Sequence, residues 1–151
     1  MVKTYRKKRN GKNRTIRNNF GSINNFEKQV TVIFLEMLMM VKLFHWKTHS
    51  YATHKATDEL YSNLNEHIDT FIEVLLGKAG NRIELTNVKS ISLIDLNSPE
   101  QLKQRIKGYI NYLVSFTSNK VLGSPENTDL LNIRDEILGD MNQFLYLLTF
   151  K

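Results

Sequence analysis

Between residues 80 and 98 the sequence loses the three- and four-residue spacing of apolar side chains that marks the chain on either side. Before that gap, Ile23, Phe26, Val30, Phe34, Met37, Val41 and Phe44 form one helical pattern over residues 22–48, and Tyr61, Leu64, Ile68, Phe71 and Leu75 form another over residues 53–78. After it come Leu102, Ile106, Tyr109, Leu113 and Phe116, then Leu130, Ile133, Ile137, Met141, Phe144, Leu145 and Leu148. The pattern predicts four long helices joined by a short, a long and a short connection. Short connections make antiparallel neighbours. The long one must travel the length of the bundle, and about twenty extended residues cover about 60 Å, more than the roughly 30–40 Å such helices need.

The fold class expected is therefore all-α, a four-helix bundle with one long crossover between the second and third helices, which is the ferritin-like topology. Start and stop signals agree with it. Ser22 or Asn24 can cap the first helix, and Gly77 and Gly80 end the second. Ser98, Pro99, Glu100 and Gln101 read as cap, first-turn proline and capping-box partner, and Ser124, Pro125 and Glu126 signal another start. With no cysteine there is no disulfide frame and no thiolate metal site. The most apolar stretch, residues 30–41, is short and contains Glu36, so a buried helix is expected and no membrane span. The basic N-terminus does not lead directly into an apolar run, so a signal peptide is not expected.

The net charge of +6 divides unevenly along the chain. Lys3, Arg6, Lys7, Lys8, Arg9, Lys12, Arg14 and Arg17 are eight cations in residues 1–19 with no Asp or Glu among them. The rest has 21 − 8 = 13 cations against 15 anions, a net of −2. Residues 1–21 are expected to be a disordered basic tail, too poor in apolar side chains to offset chain entropy, and residues 22–151 a single domain. Such a tail suits nucleic acid; a localisation signal or a solubilising arm are the plainer readings.

All four histidines, His45, His49, His54 and His67, fall between positions 45 and 67. His45 closes the first helix on the face of Phe34, Leu38 and Val41. On the second, His54 with Asp58 and Asp69 with Glu73 are pairs four residues apart. Turning 100° per residue puts these four positions at about 0°, 40°, 60° and 100°, one stripe with Asn65 inside it. Taken singly, each is what an exposed helix face carries; the weight comes from four sharing one stripe, with His45 across the short turn. Imidazole with carboxylate suits iron, zinc or manganese. No Glu here has a His three residues later, which disfavours a di-iron centre inside one bundle.

Helix geometry limits how these ligands can be used. Asp58 and Asp69 lie about 16 Å apart along a straight helix, and His54 and Glu73 about 28 Å. One ion with bonds near ~2 Å cannot touch both pairs. Two arrangements remain: separate incomplete sites, or a two-fold dimer with antiparallel second helices. In the dimer the axis passes near residues 63–65, with Ser62 and Asn65 close to their symmetry mates. His45, His54 and Asp58 of one chain then face Asp69 and Glu73 of the other.

His45 and Trp46, then His54 to Asp58, then Asp69 to Glu73 eleven residues on, resemble the signature of the Dps-type mini-ferritins: a His-Trp, a His-x-x-x-Asp and an Asp-x-x-x-Glu. The resemblance covers roughly residues 25–78 and 125–148. It implies a ferroxidase centre of His45, His54, Asp58, Asp69 and Glu73 formed between two subunits, both catalytic and metal-binding, with Trp46 packed near it. It also implies a hollow homo-oligomeric shell such as a dodecamer, oxidation of Fe(II) with hydrogen peroxide, storage of ferric mineral, and DNA binding through the tail. The turn between His45 and His54 is shorter than in that signature, lacks its glycine, and has Lys47 where asparagine is usual. The basic tail and short turn are also similar to ferritin-like proteins of large DNA viruses. Expected locations are accordingly the cytoplasm, a nucleoid or nucleus, or a virion. The competing reading is a non-enzymatic nucleic-acid-binding or virion structural protein on the same fold.

Overall fold

The computed structural model describes the backbone of residues 12–150, and side chains from residue 25 to residue 150. Helix α1 (Lys12–Lys47) is followed by α2 (Tyr51–Ala79), α3 (Pro99–Val114) and α4 (Thr128–Leu147), and no strand occurs among the described residues. A 3-10 turn, Ser115–Ser118, extends α3, and another, Pro125–Asn127, leads into α4. The described residues form an all-α arrangement of four helices, with residues 80–98 as the long connection among them.

The apolar pattern is what closes the core. Phe26, Val30, Phe34, Met37, Val41 and Phe44 of α1 are buried, as are Leu64, Ile68, Phe71 and Leu75 of α2. From the second half, Leu102, Ile106, Tyr109 and Leu113 meet Leu130, Ile137, Met141 and Phe144. Aromatic edges knit the layers: Phe34 meets Phe71 at 5.4 Å between centroids, and Phe116 meets Phe26 at 5.3 Å. The stretch Asn25–Lys47 is long and apolar enough to cross a membrane, with mean hydropathy 1.3. A buried core helix passes the same test of length and composition, and Phe34, Met37, Met40 and Val41 of this one are fully enclosed by the bundle.

The ends follow local chemistry. The Ser50 hydroxyl accepts from the Thr53 N–H at 3.3 Å and opens α2. Gly80, at φ 69°, closes it in the left-handed conformation that side chains resist, and its N–H reaches the Leu76 carbonyl. Ser98 accepts from the Gln101 N–H at 3.2 Å, while the Gln101 side chain reaches back to the Asn97 N–H, one residue earlier than in a standard capping box. The second start signal is displaced. Pro125 opens the 3-10 turn and α4 begins only at Thr128.

The first helix also differs from the expectation. Its backbone is helical from Lys12, not from Ser22, so Lys12, Arg14 and Arg17 lie on helical backbone. Once the apolar stretch has nucleated a helix, each added residue gains a backbone hydrogen bond without needing burial. Lys3, Arg6, Lys7, Lys8 and Arg9 lie outside the described residues.

Glu27 is a polar exception in the core, 3% exposed, and among the described residues neither its Oε1 nor Thr31 Oγ1, one turn on, has a hydrogen-bond partner. Burial pushes the Glu27 carboxyl above its ordinary value, against the opposing effects of an Asn81 hydrogen bond and the Lys28 charge. A carboxyl raised in the folded state contributes stability that is fully present below its unfolded pKa and is lost as pH rises through the folded one. Glu27→Gln removes that loss. It is expected to melt with the wild type under acidic conditions and to be more stable by about 1 kcal/mol at neutral pH. Thermal melts across the pH range check this; a variant less stable at neutral pH contradicts it.

Candidate metal centre

The short turn between α1 and α2 sets His45 and His54 face to face. Their rings stack at 3.9 Å between centroids, 23° from parallel. Each ring is anchored by the other residue's backbone. His45 Nδ1 lies 3.0 Å from the His54 carbonyl oxygen, and His54 Nδ1 lies 3.1 Å from the His45 carbonyl oxygen. A carbonyl can only accept, so both Nδ1 atoms carry a proton, and in a neutral ring it is then Nε2 that holds the lone pair a metal needs. His45 Nδ1 also faces Thr57 Oγ1 at 3.2 Å, whose own hydroxyl is within reach of the Thr53 and His54 carbonyls. Metal-binding imidazoles are usually held in this way, with one nitrogen tied to a carbonyl and the other free.

Asp58, one turn beyond His54, brings its Oδ1 to 3.8 Å from His45 Nε2. His45 is buried, His54 half-buried and Asp58 exposed. By residue type, two imidazoles and a carboxylate suit Fe(II), and equally zinc or manganese. The remaining expected ligands are elsewhere: Asp69 and Glu73 are exposed further along α2. Among the described residues no three His, Asp or Glu side chains of one chain are gathered closely enough to hold a metal ion. The donors come in two parts along α2, with His45 of α1 joining the first.

Between the two parts lies an apolar hollow of about 450 Å³, lined by Leu35, Leu38, Met39, Trp46, Tyr61 and Asn65 among others. Trp46 is 70% exposed there, where packing near the site was expected. At the end of α1 its side chain finds no layer of the described residues to cover it. Asn65 and Ser62, expected near a symmetry axis, are both exposed.

Three features escaped the sequence. Thr57 secures His45 from the neighbouring helix, a contact only the turn creates. Lys42, one turn before His45, lies 3.9 Å from Asp58 Oδ1; its spacing to His45 was the available signal. His67 joins no ligand group: its Nδ1 bonds Asp140 of α4 at 2.8 Å, and Asn63 holds the other Asp140 oxygen at 3.2 Å. His49 is exposed in the connection.

No curated protein and no solved structure matches the chain. A family model matches residues 45–148, which span His45, α2, the long connection, α3 and α4. All five candidate ligands fall inside that match, and the eight N-terminal cations fall outside it. The match covers more than half of the chain, so the protein belongs to this family, described as a family of unknown function (DUF5856).

Proposed function

We propose that this protein is a ferritin-like, Dps-type subunit that oxidises and stores iron at a centre completed by a two-fold dimer. The observation that carries the reading is the histidine clasp. It ties both Nδ1 atoms to backbone and holds His45 Nε2 3.8 Å from Asp58 Oδ1, while Asp69 and Glu73 stand exposed further along α2. His45, His54 and Asp58 bind the metal from one chain. Asp69 and Glu73 of a second chain complete and neutralise it. Fe(II) is the substrate; each ion gives up one electron, and hydrogen peroxide takes two electrons and two protons to leave as two waters.

The ferritin-like topology is supported by which ends meet. Lys47, at the end of α1, bonds the Leu96 carbonyl at 3.3 Å and Asn97 at 3.0 Å, and pairs with Asp95, just before α3 starts. Lys78, at the end of α2, pairs with Asp129 at 3.0 Å, where α4 starts. The long connection therefore returns the chain from the end of α2 to the end where α1 finishes. The dimer is supported by the apolar hollow beside Asn65 and by the exposed Trp46, surfaces that a second copy would cover. The basic N-terminal residues add DNA binding, and the protein would then work in cytoplasm, in a nucleoid or nucleus, or in a virion.

Native mass spectrometry with and without Fe(II) tests the reading. An even-numbered assembly that gains many iron atoms per chain is expected. A chain that stays monomeric and takes up no iron contradicts it, and if that chain binds DNA tightly the non-enzymatic packaging role takes its place.

A further inference from the structure

The same oxygen of Asp58 faces two groups. Oδ1 is 3.8 Å from His45 Nε2 and 3.9 Å from Lys42 Nζ. The lysine is not loose. Its ammonium lies 4.6 Å from the Tyr61 ring centroid and 6.0 Å from that of Trp46. Tyr61 follows Asp58 by three residues on α2, and Lys42 precedes His45 by three on α1, so both helices present these groups to one spot. One carboxylate and two aromatic rings thus surround one positive charge at the mouth of the histidine pair.

We propose that Lys42 is a tethered cation that holds Asp58 in the metal-free state and competes with an incoming divalent metal for the same carboxylate oxygen. It thereby sets the affinity of the histidine half of the centre. This inference rests on the metal-binding reading of His45, His54 and Asp58. A metal at His45 Nε2 needs Asp58 Oδ1, and two cations cannot share that oxygen without repelling each other. The rings that already hold the ammonium keep it when a metal takes the carboxylate, because a cation is attracted to an aromatic face. The lysine then keeps an attractive neighbour after losing its ion pair. Asp58 acts on the metal directly; Lys42 is a positioning residue that acts through Asp58.

Zn²⁺ binding to the full-length assembled protein tests this without redox chemistry. Lys42→Met keeps a long apolar side chain and removes the charge. It is expected to bind Zn²⁺ up to about five-fold more tightly than wild type by calorimetry, the scale of an exposed ion pair. The gain should shrink as salt is raised. Lys42→Arg keeps the charge and should stay near wild type, and Lys42→Gln should repeat the gain if the Met variant assembles poorly. In an Asp58→Asn background the Lys42→Met gain should vanish, which a merely structural lysine would not produce. If wild type binds Zn²⁺ and neither uncharged variant binds it more tightly, the competition is wrong and the metal site stands. If no form binds Zn²⁺, the site falls and the lysine's role with it.

Discussion

Asp69→Asn combined with Glu73→Gln is expected to lower the rate of Fe(II) oxidation by at least about 100-fold while leaving the helical fold intact. Removing groups that merely orient a metal's ligands typically costs about 10- to 100-fold, and these carboxylates are proposed as ligands themselves. An amide keeps the shape of a carboxylate but supplies no negative charge against the metal. Both residues are exposed on α2 and outside the apolar core, so the exchange should change stability by no more than about 0.5 kcal/mol per site. Stopped-flow oxidation and circular dichroism on the same preparations separate the two effects. Equal oxidation rates in variant and wild type would move the centre elsewhere.

A second large effect is expected at the N-terminus. A chain beginning at Phe20 loses eight cations and carries 13 positive against 15 negative side chains. A net-negative body repels DNA, so the truncated form should lose nearly all affinity. For the full chain the slope of log affinity against log salt should be no steeper than about −7 per tail, since at most about 0.9 counterion is released per neutralised phosphate. That slope corresponds to a loss of about 10³- to 10⁵-fold between ~50 and ~200 mM salt. Several tails on one assembly add avidity and steepen it. The cut removes the first turns of α1 and none of the core residues from Phe26 onward. Gel-shift titrations at several salt concentrations check the effect, and truncated protein binding as well as full-length protein at every salt would end the tail's role.

The bundle was legible because apolar spacing and burial share one cause. Phe34, Phe71, Leu113 and Met141 were assigned to inner faces by spacing alone and are fully buried. Cap chemistry gave the start of α3 at Ser98 for the same reason, since an orphaned N–H needs a nearby acceptor. The start of α1 was not legible, because polar residues can extend a helix that apolar ones have nucleated. In the candidate centre, the shared stripe of His54, Asp58, Asp69 and Glu73 follows from helix geometry. The clasp does not. Its hydrogen bonds join side chains to carbonyls across the turn, and whether the rings stack depends on how few residues that turn contains. Trp46 was misplaced because an aromatic beside a site reads as packing, while its exposure depends on which layers one chain supplies. His67 shares the histidine-rich stretch without being one of the expected ligands, and its partner Asp140, 73 positions further along, could not be read from local spacing.

The central claim is that one centre takes ligands from two chains, and mixing tests it most directly. A His45→Gln/His54→Gln variant and an Asp69→Asn/Glu73→Gln variant are co-expressed in equal amounts, and native mass spectrometry confirms the mixed dimers. Each variant alone should be inactive in Fe(II) oxidation. Half of randomly paired dimers are mixed, and each mixed dimer holds one complete site and one doubly broken one, so about a quarter of wild-type activity should return. Confirmed mixed dimers with no recovered oxidation would contradict a shared centre.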